Sequence, residues 1–238
     1  DYSFNQSWSE PTYLEEKLNS FERASFDNTV RDLYGLERRW TDDELNKYRT
    51  GSDPYNYPNV DWQKVMLRNF APESKHSLAV RGGSDFNKYY VSFQAYDQGS
   101  MYKGSAESYK RYNIRMNESS EFKDLGLTLN FGLDGYIENM KTPRSQYSTG
   151  YWATWSHIQN KSPMELDRNQ DGQIYIGYDN PLAEISSESG YYKEDFKMVN
   201  GLFNAEWKVI GVEGLKLKVS GNYRFGMFDT KTWTKTAP

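Results

Sequence analysis

The residues with the clearest chemical potential sit in one polar, aromatic stretch. Asp167, Asn169, Asp171 and Gly172 spell D-x-N-x-D-G, the opening of a calcium-binding loop. A full loop of that kind places a bidentate carboxylate at its twelfth position. Here that position is Tyr178, with Asp179 one residue on, and no helical pattern flanks it. The spacing therefore suits an Asx-rich turn, with a weak Ca²⁺ site at Asp167, Asn169 and Asp171 as the sharper expectation and no other cofactor. Around it crowd Tyr147, Tyr151, Trp152, Trp155, Tyr175 and Tyr178. Flat rings among Asn, Asp and Gln suit a sugar, whose C–H faces stack while its hydroxyls are hydrogen-bonded. The same rings could equally form the loop's own core or a contact with a partner protein.

Other reactive arrangements are missing. Neighbouring carboxylates such as Glu15/Glu16, Asp42/Asp43 and Glu194/Asp195 read as exposed charges, and nothing singles out a pair at glycosidase spacing. No nucleophile-elbow motif occurs. His76 and His157 are far apart in sequence, and His157 reads as a solvated loop residue. With no cysteine, thiolate metal sites and disulfides are excluded. Net charge is −4 without a basic stripe, so nucleic acid is not an expected partner. The expectation is a protein that is not an enzyme.

The elements that must position these residues alternate with period two. In 125–134, Leu125, Leu127, Leu129, Phe131 and Leu133 point one way; Gly126, Thr128, Asn130, Gly132 and Asp134 point the other. A slip of one residue would exchange the faces, so the register is strongly specified. Similar runs cover 76–81, 89–96, 112–117, 199–209 and 215–225. The polar faces carry Asn113, Arg115, Asn130, Asp134, Asn204 and Arg224. Connections alternate between short (82–88, 119–124, 211–214) and long (10–75, 97–108, 139–195). That alternation fits strands running up and down with short turns at one rim and elaborate loops at the other. Runs of roughly 12–15 residues exceed the usual globular strand and suffice to cross a bilayer obliquely.

Composition agrees. Only 37% of residues are apolar, yet 16% are aromatic, with 20 Tyr and 7 Trp. Mean hydropathy is −0.92. Strands with one greasy and one wet face, and amphipathic rings at the boundary, have this balance. A soluble antiparallel sheet with its apolar face on a second layer shows the same alternation.

The fold expectation is all-β: an antiparallel up-and-down meander forming part of a large transmembrane β-barrel, with a helical insertion near residues 12–50. In detail, 1–9 is a first barrel strand, 10–75 a helical extracellular loop, 76–138 a meander of barrel wall, 139–195 a long aromatic-rich extracellular loop and 196–238 a hairpin of wall. Within the insertion, a helix is expected over Glu10 to Leu36, with Thr12 and Glu15 at capping-box spacing. A second starts at Thr41 and Glu44 and stops at Gly51.

The segments YPNVDWQKVMLRNFAP (57–72), HSLAVRGGSDFNKYYVSFQAYDQGSMYKG (76–104), YKRYNIRMN (109–117), NPLAEI (180–185) and GLKLKVSGNYRF (214–225) stand in an order that resembles the SusC/RagA-like TonB-dependent transporters of the Bacteroidetes outer membrane. The resemblance implies a plugged, many-stranded barrel that imports glycans or peptides. Its implied partners are a SusD-like surface lipoprotein, the TonB complex, outer-membrane lipid and an oligosaccharide or peptide substrate. It also implies that these residues are the first barrel strands after the plug, with the TonB-contacting segment elsewhere. The polar residues Asn113, Arg115, Asn130, Asp134, Asn204 and Arg224 would then face the lumen. The alternative function is a soluble β-rich carbohydrate-binding or adhesive surface module.

Overall fold

A computed structural model describes residues 1–104, 107–144, 151–174, 180–186 and 190–234. The alternating segments form one antiparallel sheet whose seven strands lie in chain order. They are β1 (Tyr2–Ser9), β2 (Ala71–Gly83), β3 (Asn87–Gln98), β4 (Ser108–Phe122), β5 (Leu127–Arg144), β6 (Gly190–Lys208) and β7 (Lys216–Trp233). Each strand pairs with the next, as a meander of local hairpins must.

Cross-strand partners share a face, so the pairing converts the sequence pattern into two surfaces. One row runs Leu78, Phe93, Ile114, Gly135, Val199, Phe225; the next runs Val80, Val91, Met116, Leu133, Gly201, Tyr223. On β5 this apolar face extends from Leu127 to Ile137. Ten residue steps in a strand tilted as barrel strands are give a band about 26 Å tall. On the long-loop side the apolar stretch closes with the row of Phe4, Ala95, Tyr112, Ile137 and Met227. Glu118 breaks the face near the short-turn end, where Asn87 Nδ2 donates to it at 2.7 Å and Ser120 Oγ at 3.1 Å.

The apolar band stays uncovered. Leu133, Phe131 and Val219 are 39%, 46% and 64% exposed. Among the described residues the buried large apolar cluster is Trp62, Met66, Leu67, Tyr102, Ile158, Leu182 and Ile185, all of it in connections. A two-layer sandwich would bury the strand residues instead.

Several boundaries move from their expected places. β5 continues through Asn139–Arg144 and β6 begins at Gly190, so both ends of the expected 139–195 loop are strand. The alternation persists there, but Lys, Glu and Tyr replace the aliphatic residues that make it easy to read. β2 likewise starts at Ala71, ahead of His76. The expected capping box at Thr12 is not used. α1 spans Ser20–Leu33, and Asn19 caps it, its side chain accepting from the Glu22 backbone while Glu22 returns the bond. Asn is as strong an N-cap as Thr. Ser20 is also fixed by its hydroxyl on Pro58 O at 2.7 Å, which sets the start. α2 (Asp42–Thr50) has the expected Thr41/Glu44 box and stops at Gly51 in the left-handed region.

Candidate functional site

The polar face of the sheet carries the first group of expected site residues. Asn113, Arg115, Asn130, Asp134, Asn204 and Arg224 all lie on it. One row runs Ser92, Arg115, Asp134, Asn200, Arg224, and another Lys88, Ser119, Asn130, Asn204, Ser220. Asn200 Nδ2 donates to Asp134 Oδ1 at 3.1 Å, tying β5 to β6 across the face. Such rows make a wet surface with charges of both signs held at strand spacing.

Toward the long loops the same face turns aromatic, which the sequence reading did not single out. Arg111 lies 4.2 Å over the Tyr136 ring, 3.6 Å from the Glu138 carboxylate, and donates through Nε to Asn113 Oδ1 at 3.0 Å. Tyr136 packs on Phe196 at 5.6 Å, and Tyr96 meets Tyr109 edge-on at 6.1 Å. The result is a shelf of rings around a half-buried ion pair. The signal was a parity one: Tyr96, Tyr136 and Phe196 occupy positions of the polar register.

Above the sheet the long connections form a cap with its own core. α3 (Trp62–Met66), α4 (Tyr151–Asn160) and α5 (Pro181–Glu184) meet there. Trp62 is 4% exposed and donates through Nε1 to Ser162 O at 2.9 Å. Val60 N donates to Pro163 O at 2.8 Å, and Lys103 N to Met66 O at 2.9 Å, so three separate loops are laced by backbone. At Gly104 an added Cβ would strike the carbonyl oxygen of Ile185, so only glycine permits that approach. Between α1 and residues 159–165 lies a cleft of about 950 Å³, lined in part by Arg23, Phe26, Asp27, Trp40, Tyr48 and Met164.

The other expected site residues that are described fall in or near this cap. Trp155 is partly buried against the cap core. Tyr151 and Trp152 lie in the first turn of α4. Tyr147, Tyr175 and Tyr178 lie outside the described residues. In the D-x-N-x-D-G stretch, Asn169 Oδ1 accepts from the backbone of Asp171 at 3.1 Å and of Gln173 at 2.9 Å, the geometry of an Asx turn. Among the described residues no cluster of three acidic or histidine side chains is poised for a metal. His157 is not the solvated residue expected. Its Nδ1 lies 2.8 Å from Oε1 of Glu184, which is 4% exposed. Asn180 at the cap and Pro181 at the first helical position were the sequence signals for the short helix that brings Glu184 there.

Glu107 joins the cap to β4. Burial pushes its carboxyl above the ordinary carboxylate range, and the hydroxyl of Ser100, which donates to it, opposes that shift. A raised folded-state pKa means the stabilisation belongs to the protonated form. It is complete below the unfolded value and is lost as pH rises through the folded one. Glu107→Gln is therefore expected to strengthen the cap at neutral pH and to flatten its dependence on mildly acidic pH. Trp62 fluorescence in urea at pH 5 and pH 7.5 measures both; a variant weaker than the parent at pH 7.5 contradicts the assignment.

No protein-family model matches the chain, and no curated protein does. Solved structures do match. The chain is similar to the RagAB peptide importer in its closed-closed state, with a TM-score of 0.67 at 17% identity over 97% of this chain. The open-open state gives 0.66 at 17%, and a further structure of the RagAB peptide transporter 0.64 at 19%. This chain spans 28% of the length of each matched chain. At this identity the likeness is one of fold: the seven-stranded meander has the architecture of part of an importer's β-barrel.

Proposed function

We propose that this chain forms a section of the wall and outer cap of an outer-membrane transporter that imports peptides. The observation that carries the reading is the two-faced sheet, an uncovered apolar band of bilayer height backed by rows of Asn, Asp and Arg. The importer-like fold supports it. In this reading the apolar face meets lipid, the polar face lines the lumen, and the cap lies outside the cell. The long loops offer a seat for a surface lipoprotein of the SusD-like kind, and energy comes from TonB acting on other parts of the transporter. Oligosaccharides are the second substrate class, because rings serve sugars as well. The Arg111–Glu138 pair favours peptides, whose termini and side chains carry both charges, over neutral sugars.

Cysteine scanning from Leu127 to Ile137 tests the wall. A water-soluble maleimide should modify the protein at positions 130 and 134 and spare 129, 131 and 133; uniform labelling rejects the wall. For the shelf, a hydrogen bond to a charged group contributes about 1.5–3 kcal/mol. Arg111→Ala should accordingly raise the peptide concentration for half-maximal uptake by roughly ten-fold or more. Unchanged peptide uptake removes the shelf from the pathway.

A further inference from the structure

The cleft between α1 and residues 159–165 holds polar groups that neither the wall nor the shelf uses. Arg23, Phe26, Asp27 and Val30 follow one another at i, i+3, i+4 and i+7, so one face of α1 supplies one side of it. Trp40 and Tyr48 line the cleft as well, their rings edge to face at 5.5 Å. Gln159 and Met164 belong to the opposite side.

Most charges of the cleft are already matched. Lys17 Nζ and Lys161 Nζ each lie 2.6 Å from a carboxylate, of Glu15 and of Glu165. Asp27 accepts from the Trp40 indole at 3.2 Å and has the Arg31 and Arg39 guanidinium groups at 3.7 and 4.0 Å. Other groups are left over. Arg23 makes no side-chain hydrogen bond or ion pair with any described residue. The Tyr48 hydroxyl bonds none of them either, although Tyr48 is only 6% exposed. Both amide atoms of Gln159 are buried without a partner. Buried polar groups are normally hydrogen-bonded, and leaving one unmade is costly.

We propose that this cleft is a peptide subsite of the cap. It holds a C-terminal carboxylate on Arg23, the adjoining backbone at Tyr48 and Gln159, and the last side chain against Phe26 and Trp40. A guanidinium grips a carboxylate with two parallel bonds. An amide side chain donates and accepts at once, which matches the N–H and C=O of a peptide group. Rings beside a few fixed polar groups are the usual make-up of a ligand pocket. The chain's net charge of −4 repels an anion overall, so an unpaired arginine decides where one settles. A neutral sugar would leave Arg23 unmatched. The proposal rests on the peptide-import reading for its class of ligand, and it adds a site separate from the Arg111 shelf.

The test uses the transporter extracted whole from its membrane, in the R111A background so that the shelf does not contribute. Calorimetry compares an N-acetylated tripeptide ending in phenylalanine with the same tripeptide as its C-terminal amide. The free acid should bind roughly ten-fold or more tightly than the amide. R23Q should bring the acid to the amide's affinity, whereas Y48F should weaken both forms alike, by roughly two- to ten-fold. An acid preference that survives R23Q overturns the proposal, as does equal binding of acid and amide before that change. A glucuronate disaccharide that binds as tightly as the acid overturns the assignment to peptides. Uptake by the parent separates the two readings. If the parent imports the tripeptide while the acid preference survives R23Q, the cleft alone fails; if the parent neither binds nor imports it, the import reading fails and the cleft with it.

Discussion

Leu133→Arg is expected to cost the folded wall about 2–4 kcal/mol, the penalty for a cation near the middle of a barrel's lipid face. Leu133 lies in the row of Val80, Val91, Met116 and Tyr223 and is already 39% exposed, so the change removes no protein core. The cost arises from the medium the side chain faces. Asn130→Arg, three residues away on the same strand, enters the row of Lys88, Ser119, Asn204 and Ser220 on the polar face. It should change stability by under about 0.5 kcal/mol, as surface substitutions do. Urea unfolding in phosphatidylcholine vesicles reads both values. The difference between them is the quantity of interest, since a soluble sheet with water on both faces predicts none. Equal costs at positions 130 and 133 would reject a lipid-facing band.

The second large effect belongs to the cap. Trp62→Ala should destabilise it by about 3–5 kcal/mol, the range for removing a buried aromatic side chain. Trp62 fills the centre of the cluster with Met66, Leu67, Tyr102, Ile158, Leu182 and Ile185. Its indole also holds Ser162 O, so the variant leaves that carbonyl to find another donor. The sheet contributes nothing to this core, and the strands should keep their pairing. Hydrogen exchange should accordingly accelerate at Val60, Lys103 and Ala183 while the amides of β4 and β5 stay protected. Loss of protection throughout the sheet would show that cap and wall fold as one unit, against the separation of their cores. On the proposed reading, in which peptides would pass the cap to reach the shelf, the same variant should impair uptake without altering labelling at positions 130 and 134.

The wall was legible in the sequence because its information is local. Side chains alternate with period two, so Leu125 to Leu133 and Leu215 to Phe225 announce their own faces before any partner strand is known. Hairpin connectivity then pairs each run with the next, and the polar set from Asn113 to Arg224 falls on one surface as a consequence. Legibility failed where alternation is carried by polar and aromatic residues. In Asn139–Arg144 and Gly190–Asp195 the strand pattern is hard to see, because Lys141, Lys193 and Tyr191 lack the contrast of a Leu/Asn repeat. The same weakness hid the shelf, since Tyr96, Tyr136 and Phe196 lie on three strands and meet only through register.

The cap was mostly illegible. Thr12 and Asn19 both carry plausible helix starts, and the choice was made by Ser20 against Pro58 and Asn59, residues nearly forty positions on. His157 beside Glu184, Trp62 against Ser162 and Gly104 against Ile185 are likewise contacts between separate loops. By itself, then, the sequence determined a two-faced sheet of long strands, because strand periodicity and hairpin order are properties of neighbouring residues. Only the tertiary structure decided which loops share a core and where the rings and ion pair converge. Those depend on cross-strand register and loop packing, which bring together residues that no local pattern relates.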